Sequence, residues 1–152
     1  MDHVRWLDEA DQQVWRDYLA ASQQLWDRLD DELEAGAGMP LSEYEILVRL
    51  SEAPDRSLRM SQLAEKVVHS RSRLTHTVAR MERRGLVARR PCEEDGRGVL
   101  AELTDEGYAA LEQAAPVHVQ SVRRHMFDPL TGEEVEVLGR AMRKIAESLK
   151  ER

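Results

Sequence analysis

Ser70-Arg71-Ser72-Arg73-Leu74-Thr75-His76-Thr77-Val78-Ala79-Arg80-Met81-Glu82-Arg83-Arg84-Gly85 is the stretch that decides the fold of this chain. Ser70 is a good N-cap and Gly85 a good C-cap, so the spacing predicts one helix from about Ser70 to Arg84. At about 100° per residue, Leu74, Thr77, Val78 and Met81 fall on one side and face a core. Ser72, Arg73, Thr75, His76, Ala79, Arg80 and Arg83 fall on the other. Arg71 and Arg73 set positive charge on the positive end of the helix dipole, at a cost of roughly 0.3–1 kcal/mol per charge. A phosphate or a guanine edge near that end reverses the sign, because arginine offers both a bidentate fork. Without such an anion the helix has only a solvated basic face.

Outward from this helix the neighbours narrow the choice. A short helix opens at Met60 and carries Leu63-Ala64. On the other side Leu86, Val87 and Ala88 begin an extended segment, and Val99, Ala101 and Leu103 alternate with Leu100, Glu102 and Thr104 as a half-buried strand does. Between them, Asp95-Gly96 supplies a turn, and Gly96 and Gly98 flank Arg97. Glycine on both sides lets the backbone approach a narrow groove, where an arginine gains from the enhanced negative potential. Asp95 either restrains a neighbouring arginine by a charge-assisted bond or only forms the turn. A helix, a basic second helix and an Arg-tipped hairpin in this order predict a winged helix-turn-helix.

Leu63-Ala64, Ser70-Arg71-Ser72-Arg73-Leu74, Met81-Glu82, Arg84-Gly85-Leu86-Val87, Asp95-Gly96-Arg97 and Leu103-Thr104-Asp105-Glu106-Gly107 together resemble the MarR family of bacterial transcription regulators. The Asp-x-Arg wing followed by Leu-Thr-x-x-Gly is the more specific part. The resemblance covers essentially the whole chain. It implies one mainly α domain over 1–152, with a winged-helix DNA-binding lobe at about 41–104 and dimerisation helices at about 1–35 and 105–152. It makes Arg97 the minor-groove arginine and places Ser70, Arg71, Ser72, Arg73, Thr75, His76 and Arg80 at the reading end and face, with Asp95 in the wing. Many relatives carry a second arginine where this chain has Gly96. The resemblance further implies a ligand-responsive repressor on a palindromic operator, and a small aromatic or phenolic effector held between the dimer helices and the winged domain. Trp15, Tyr18, Trp26 and Arg49 are candidates to line that pocket; a tryptophan stripe at helical spacing is more often a core.

The charge distribution fits a DNA binder although the net charge of −7 does not. Residues 56–97 hold ten arginines and Lys66 against five acids, a net of +6, which leaves −13 for the rest. One surface is drawn to phosphate and the remainder is repelled. Arginine outnumbers lysine 19 to 3, which suits bidentate recognition or reflects coding bias. The N-terminus lacks a cationic start followed by an apolar run, and no stretch approaches a membrane span, so a cytoplasmic protein is expected. A single cysteine, Cys92, excludes an intrachain disulfide and a thiolate cluster. It lies beside Arg90, which favours a thiolate, and before Glu93 and Glu94, which oppose one. His118 and His125 are seven residues apart and could share a helix face, but isolated histidines are more often surface or core groups than metal ligands.

Asp11 to Glu34 reads as one helix with Trp15, Leu19, Ser22, Trp26, Leu29 and Leu33 on a stripe, ended by the linker Gly36-Ala37-Gly38. The next helix should open with a Ser42/Glu45 capping box, and the last with the same device at Thr131 and Glu134. Pro116 should kink or interrupt a helix running from about Asp105 to Met126. Val135, Leu138, Met142, Ile145 and Leu149 step by 3, 4, 3 and 4, a seam that wants a partner helix. A two-fold dimer through the termini would set two reading helices about 34–36 Å apart; a monomer folding its last helix onto its first is the alternative.

No enzyme signature is present: Gly-x-Ser-x-Gly, a phosphate-binding Lys-Ser/Thr loop, His-Glu-x-x-His and Gly-x-Gly-x-x-Gly are all missing. No cofactor is implied. A winged-helix module docking on an acidic protein is the rival reading. Against it stand Arg97 at the wing tip and Ala79 at the centre of the exposed helix face, where a protein interface would place an aromatic anchor.

Overall fold

The computed structural model describes residues 4–67, 71–94 and 96–150. Among the described residues, six α-helices, α1 (Glu9–Ala37), α2 (Leu41–Ser51), α3 (Met60–Lys66), α4 (Arg71–Arg83), α5 (Asp105–Val122) and α6 (Gly132–Ser148), accompany strands β1 (Ser57–Arg59), β2 (Val87–Pro91) and β3 (Val99–Leu103). The strands form an antiparallel sheet of order β1-β3-β2. This is the mainly α winged helix-turn-helix, flanked by helices, that the sequence predicts. The chain forms two compact units: one contains α1 as far as Leu29 with everything from Val119, and the other runs from Asp30 to His118.

In the second unit the core is built from periodic faces. Leu41, Ile46, Leu47 and Leu50 of α2 and Leu74, Val78 and Met81 of α4 are all at most 2% exposed. Each such side chain contributes about 1.5–3 kcal/mol. Ala101 and Leu103 of β3 close the core from the sheet side, which is why that strand alternates.

Five local expectations change. First, α2 begins at Leu41 with Pro40 as N-cap, so Ser42 already lies inside the helix and forms no Ser42/Glu45 box. The orphan amide of Leu41 donates instead to Asp30 Oδ1 at 2.6 Å. Second, Gly36 and Ala37 are the last turn of α1 rather than a linker, and a Cβ on Gly36 would lie 2.8 Å from Val117 Cγ1. Third, Pro116 does not interrupt α5, and a break in its regularity comes later as a wide turn over Arg123–Phe127, closed by Asp128 N–H donating to Arg123 O at 2.8 Å. Fourth, β1 was not legible: three residues carry no period, and pairing with β3 defines them. Fifth, the stripe of α1 is core only at its C-terminal end: Leu29 and Leu33 are 6% and 0% exposed, whereas Trp15 and Trp26 are 52% and 39% exposed. The Thr131/Glu134 box forms as predicted, with Glu134 N–H donating to Thr131 Oγ1 and Thr131 N–H to Glu134 Oε2.

The joint between wing and α5 explains the Leu-Thr-x-x-Gly motif. Thr104 Oγ1 donates to the Gly85 carbonyl at 2.6 Å and accepts from Gly107 N–H at 3.0 Å. One hydroxyl thus satisfies the carbonyl after α4 and caps the start of α5. Gly107 is packed so closely that a Cβ there would lie 2.0 Å from Leu86 O.

His118, near the end of this unit, lies with its ring centroid 4.5 Å from that of Tyr44, and its buried Nδ1 has no hydrogen-bond partner among the described residues. Burial holds its pKa below the ordinary 6.5. The unfolded chain therefore binds the proton more readily, so this contribution to stability is complete above about pH 6.5 and is lost as pH falls through the folded-state value. The thermal midpoint of wild type should drop over that window more than that of His118→Phe. Parallel profiles would refute the assignment.

Candidate nucleic-acid interface

Burial of Leu74, Val78 and Met81 turns the opposite side of α4 outward, leaving Arg71, Ser72, Arg73, Thr75 and His76 exposed on its N-terminal half. Thr75 Oγ1 donates to Arg71 O at 2.9 Å, so this exposed hydroxyl keeps a lone pair for an outside donor. Past α4 the chain turns through Gly85 at φ +76°, and Leu86 N–H donates back to Met81 O at 3.0 Å. That stop aims the chain directly into β2. Ser70 and Asp95, expected at the start of α4 and in the wing, lie outside the described residues.

The wing is a hairpin in which Val87 pairs with Leu103 and Pro91 with Val99. Beyond Pro91, Cys92 N–H donates to Gly98 O at 2.8 Å and Gly96 N–H to Cys92 O at 3.1 Å. Gly96 sits at φ +63°, a conformation that glycine adopts without strain. Cys92 is 5% exposed and belongs to the packing of the wing, while Arg97 lies on its surface.

Between α4 and the wing lies a cleft of about 380 Å³ lined by Arg59, Met60, Ser61, Thr75, Arg89, Arg97, Gly98 and Val99. Three arginines from β1, β2 and the wing tip converge there on Thr75 of α4. Of the residues singled out in the sequence, Thr75 and Arg97 meet in this cleft. Arg71 and Thr75 line a smaller hollow of about 180 Å³ against Met60, Ser61 and Ala64 of α3. Ser72, Arg73 and His76 are on the exposed face without lining either cavity.

Sequence reasoning missed Arg59 and Arg89, because they enter the site from strands rather than from the basic helix. Glu82 fixes Arg89, accepting its backbone N–H at 2.7 Å, Nε at 3.2 Å and Nη2 at 3.1 Å. Those bonds, the backbone one above all, hold the Glu82 carboxyl below the usual carboxylate range. Arg59 lies 3.7 Å from Glu94 of the wing loop.

The C-terminal half of α4 differs from a free basic face. Arg80 Nε donates to Glu43 Oε1 at 2.9 Å and Arg84 Nη1 to Glu43 Oε2 at 2.6 Å. Glu43 is 1% exposed, whereas both arginine side chains keep about half of their surface in solvent. Arg84 is therefore an anchor of α4 on α2 rather than a cation held ready for phosphate alone. The signal was present: Glu43 shares the apolar face of α2 with Ile46, Leu47 and Leu50, and a carboxylate there must find a cation.

Residues 37–98 match the family model described as MarR family. Among solved structures, the chain is similar to Sco3205, a MarR family transcriptional regulator from Streptomyces coelicolor determined in complex with DNA, with a TM-score of 0.90 and 49% identity over 98% of this chain and 93% of that one. It is also similar to AbsC, a MarR family transcriptional regulator from the same organism, with a TM-score of 0.88 and 42% identity over 98% of this chain and 100% of the other. Among curated proteins, the HTH-type transcriptional repressor YetL of Bacillus subtilis is 35% identical over 88 residues, 58% of this chain and 53% of YetL. The match thus spans about half the length of that relative.

Proposed function

The chain belongs to the MarR family of transcription regulators, and from that premise we propose that it is a ligand-responsive repressor that binds a palindromic DNA operator as a homodimer. The observation that carries this reading is the cleft in which Arg59, Arg89 and Arg97 converge beside the exposed face of α4. Such an arrangement suits a duplex: α4 enters the major groove, the three arginines straddle the adjoining phosphates, and the tip arginine enters the next minor groove. The DNA complex of Sco3205 and the repressor description of YetL support the same reading. The dimer follows from apolar surface the single chain leaves open, including Trp15, Leu19, Met142 and Ile145, each at least 40% exposed. The effector is a small aromatic or phenolic anion, a class taken from the family resemblance.

Arg97→Ala tests the reading most directly. Operator binding should weaken by about 1–3 kcal/mol while the thermal midpoint stays in place, because Arg97 lies exposed at the wing tip. Affinity and midpoint are measured on the same preparation. Unchanged affinity would remove the wing from the interface; a wild type that ignores every palindrome of its own genome and instead retains an acidic protein would favour the protein-docking module.

A further inference from the structure

We infer that Glu43 is a positioning residue for DNA recognition: by holding Arg80 and Arg84 it fixes the C-terminal end of the reading face and restrains two arginines from sequence-independent pairing with phosphate. This rests on the operator-binding reading above.

The starting point is a side chain that stability alone does not explain. Glu43 is 1% exposed and lies among the apolar residues of α2. Burying the carboxylate costs desolvation that an apolar side chain at this position would avoid, so its presence invites a role in specificity. The geometry supplies that role. Arg84, just past the end of α4, follows Arg80 by four residues, and Glu43 takes one bond from each, on separate oxygens. Only Nε of Arg80 is spent; its two Nη groups make no hydrogen bond among the described residues, and the side chain is 50% exposed. Seven residues separate Arg80 from Arg73, two turns of helix, so both project from nearly the same angle. A tethered Arg80 thus extends the face that begins at Arg73, with its donors aimed and its stem already ordered.

Without the carboxylate two long cations swing free, and each can meet any phosphate within reach. Discrimination then falls while non-specific attraction rises. A merely structural carboxylate would behave differently, lowering affinity for all DNA in parallel as the folded fraction falls.

The experiment compares wild type, Glu43→Gln and Glu43→Asp by titration on an operator duplex and a scrambled duplex over a series of salt concentrations, below the thermal midpoint of each protein. Glu43→Gln should lower the operator-to-scrambled ratio by about tenfold and steepen the non-specific salt slope by roughly 0.9 for each additional phosphate neutralised. Glu43→Asp, which keeps the charge, should recover part of the ratio. If Glu43→Gln fails to fold, the double variant Glu43→Met/Arg84→Met replaces the buried carboxylate and one half-exposed partner with apolar side chains and still frees Arg80; it should show the same loss of ratio. A preserved ratio and slope in a folded variant overturns the inference while leaving operator binding intact. A wild type without preference for the operator overturns the operator-binding reading itself, and the inference with it.

Discussion

Gly107→Ala should lower the stability of the free protein by about 3 kcal/mol, the upper part of the usual cost of overpacking. The new methyl would lie 2.0 Å from the carbonyl oxygen of Leu86, a backbone atom that already accepts the amide of Thr104 at 3.2 Å. Moving that carbonyl breaks the bond and disturbs the entry to β2; moving α5 instead strains the Thr104 cap. Neither retreat is cheap. Gly36→Ala is the matched control, since its methyl meets the end of the Val117 side chain at 2.8 Å, which side-chain adjustment can relieve. Gly36 also sits inside a helix, where alanine gains up to about 1 kcal/mol. Urea unfolding of the two variants should therefore separate them clearly, and a Gly107→Ala protein as stable as wild type would refute the close packing described.

Deleting α6 together with the residues that follow it should convert the protein to a monomer and weaken operator binding by about 10²–10⁴-fold. None of the described residues of α6 is buried within the chain, and Met142, Ile145 and Leu149 of the seam are 40%, 53% and 73% exposed. A stripe of this kind costs nothing to the monomer only if a partner covers it. The fall in affinity reflects the loss of linkage between the two half-sites, so the truncated protein should bind a single half-site about as well as the full chain does. Sedimentation at micromolar concentration and titration on whole and half operators check both statements. A full-length chain that sediments as a monomer would refute the dimer.

The parts of the fold written in local patterns were legible in the sequence. The 3.6-residue period of Leu74, Val78 and Met81 located α4, and the alternation that buries Ala101 and Leu103 located β3. Thr131 and Glu134 formed the cap their spacing predicts, whereas Ser42 and Glu45, with the same spacing, did not. The difference is tertiary: Asp30, eleven residues away, reaches the Leu41 amide and the helix starts two residues sooner than a Ser42 cap would set it. The same limit governs the site. Arg71, Ser72, Arg73, Thr75 and His76 could be named because they share one face of one helix. Arg59 and Arg89 reach the cleft only through strand pairing, and nothing in a chain of nineteen arginines marks those two beforehand. Glu43 on an apolar stripe announced that it needed a cation but not that Arg80 and Arg84 would supply it.

Thr104 and Gly85 are separated by 19 positions, and the bond between them seals the chain from Leu86 to Leu103 at its neck. The free-energy cost of closing such a loop grows only with the logarithm of its length, about 0.6 kcal/mol for each doubling. Residues inserted between Glu93 and Gly98 would lengthen the far end while the neck, the core strands and α4 stay as they are. The hairpin is in that sense a cassette: under the proposed mode of DNA binding, its tip could be exchanged, by drift or by design, to change the groove contact without rewriting the exposed face of α4.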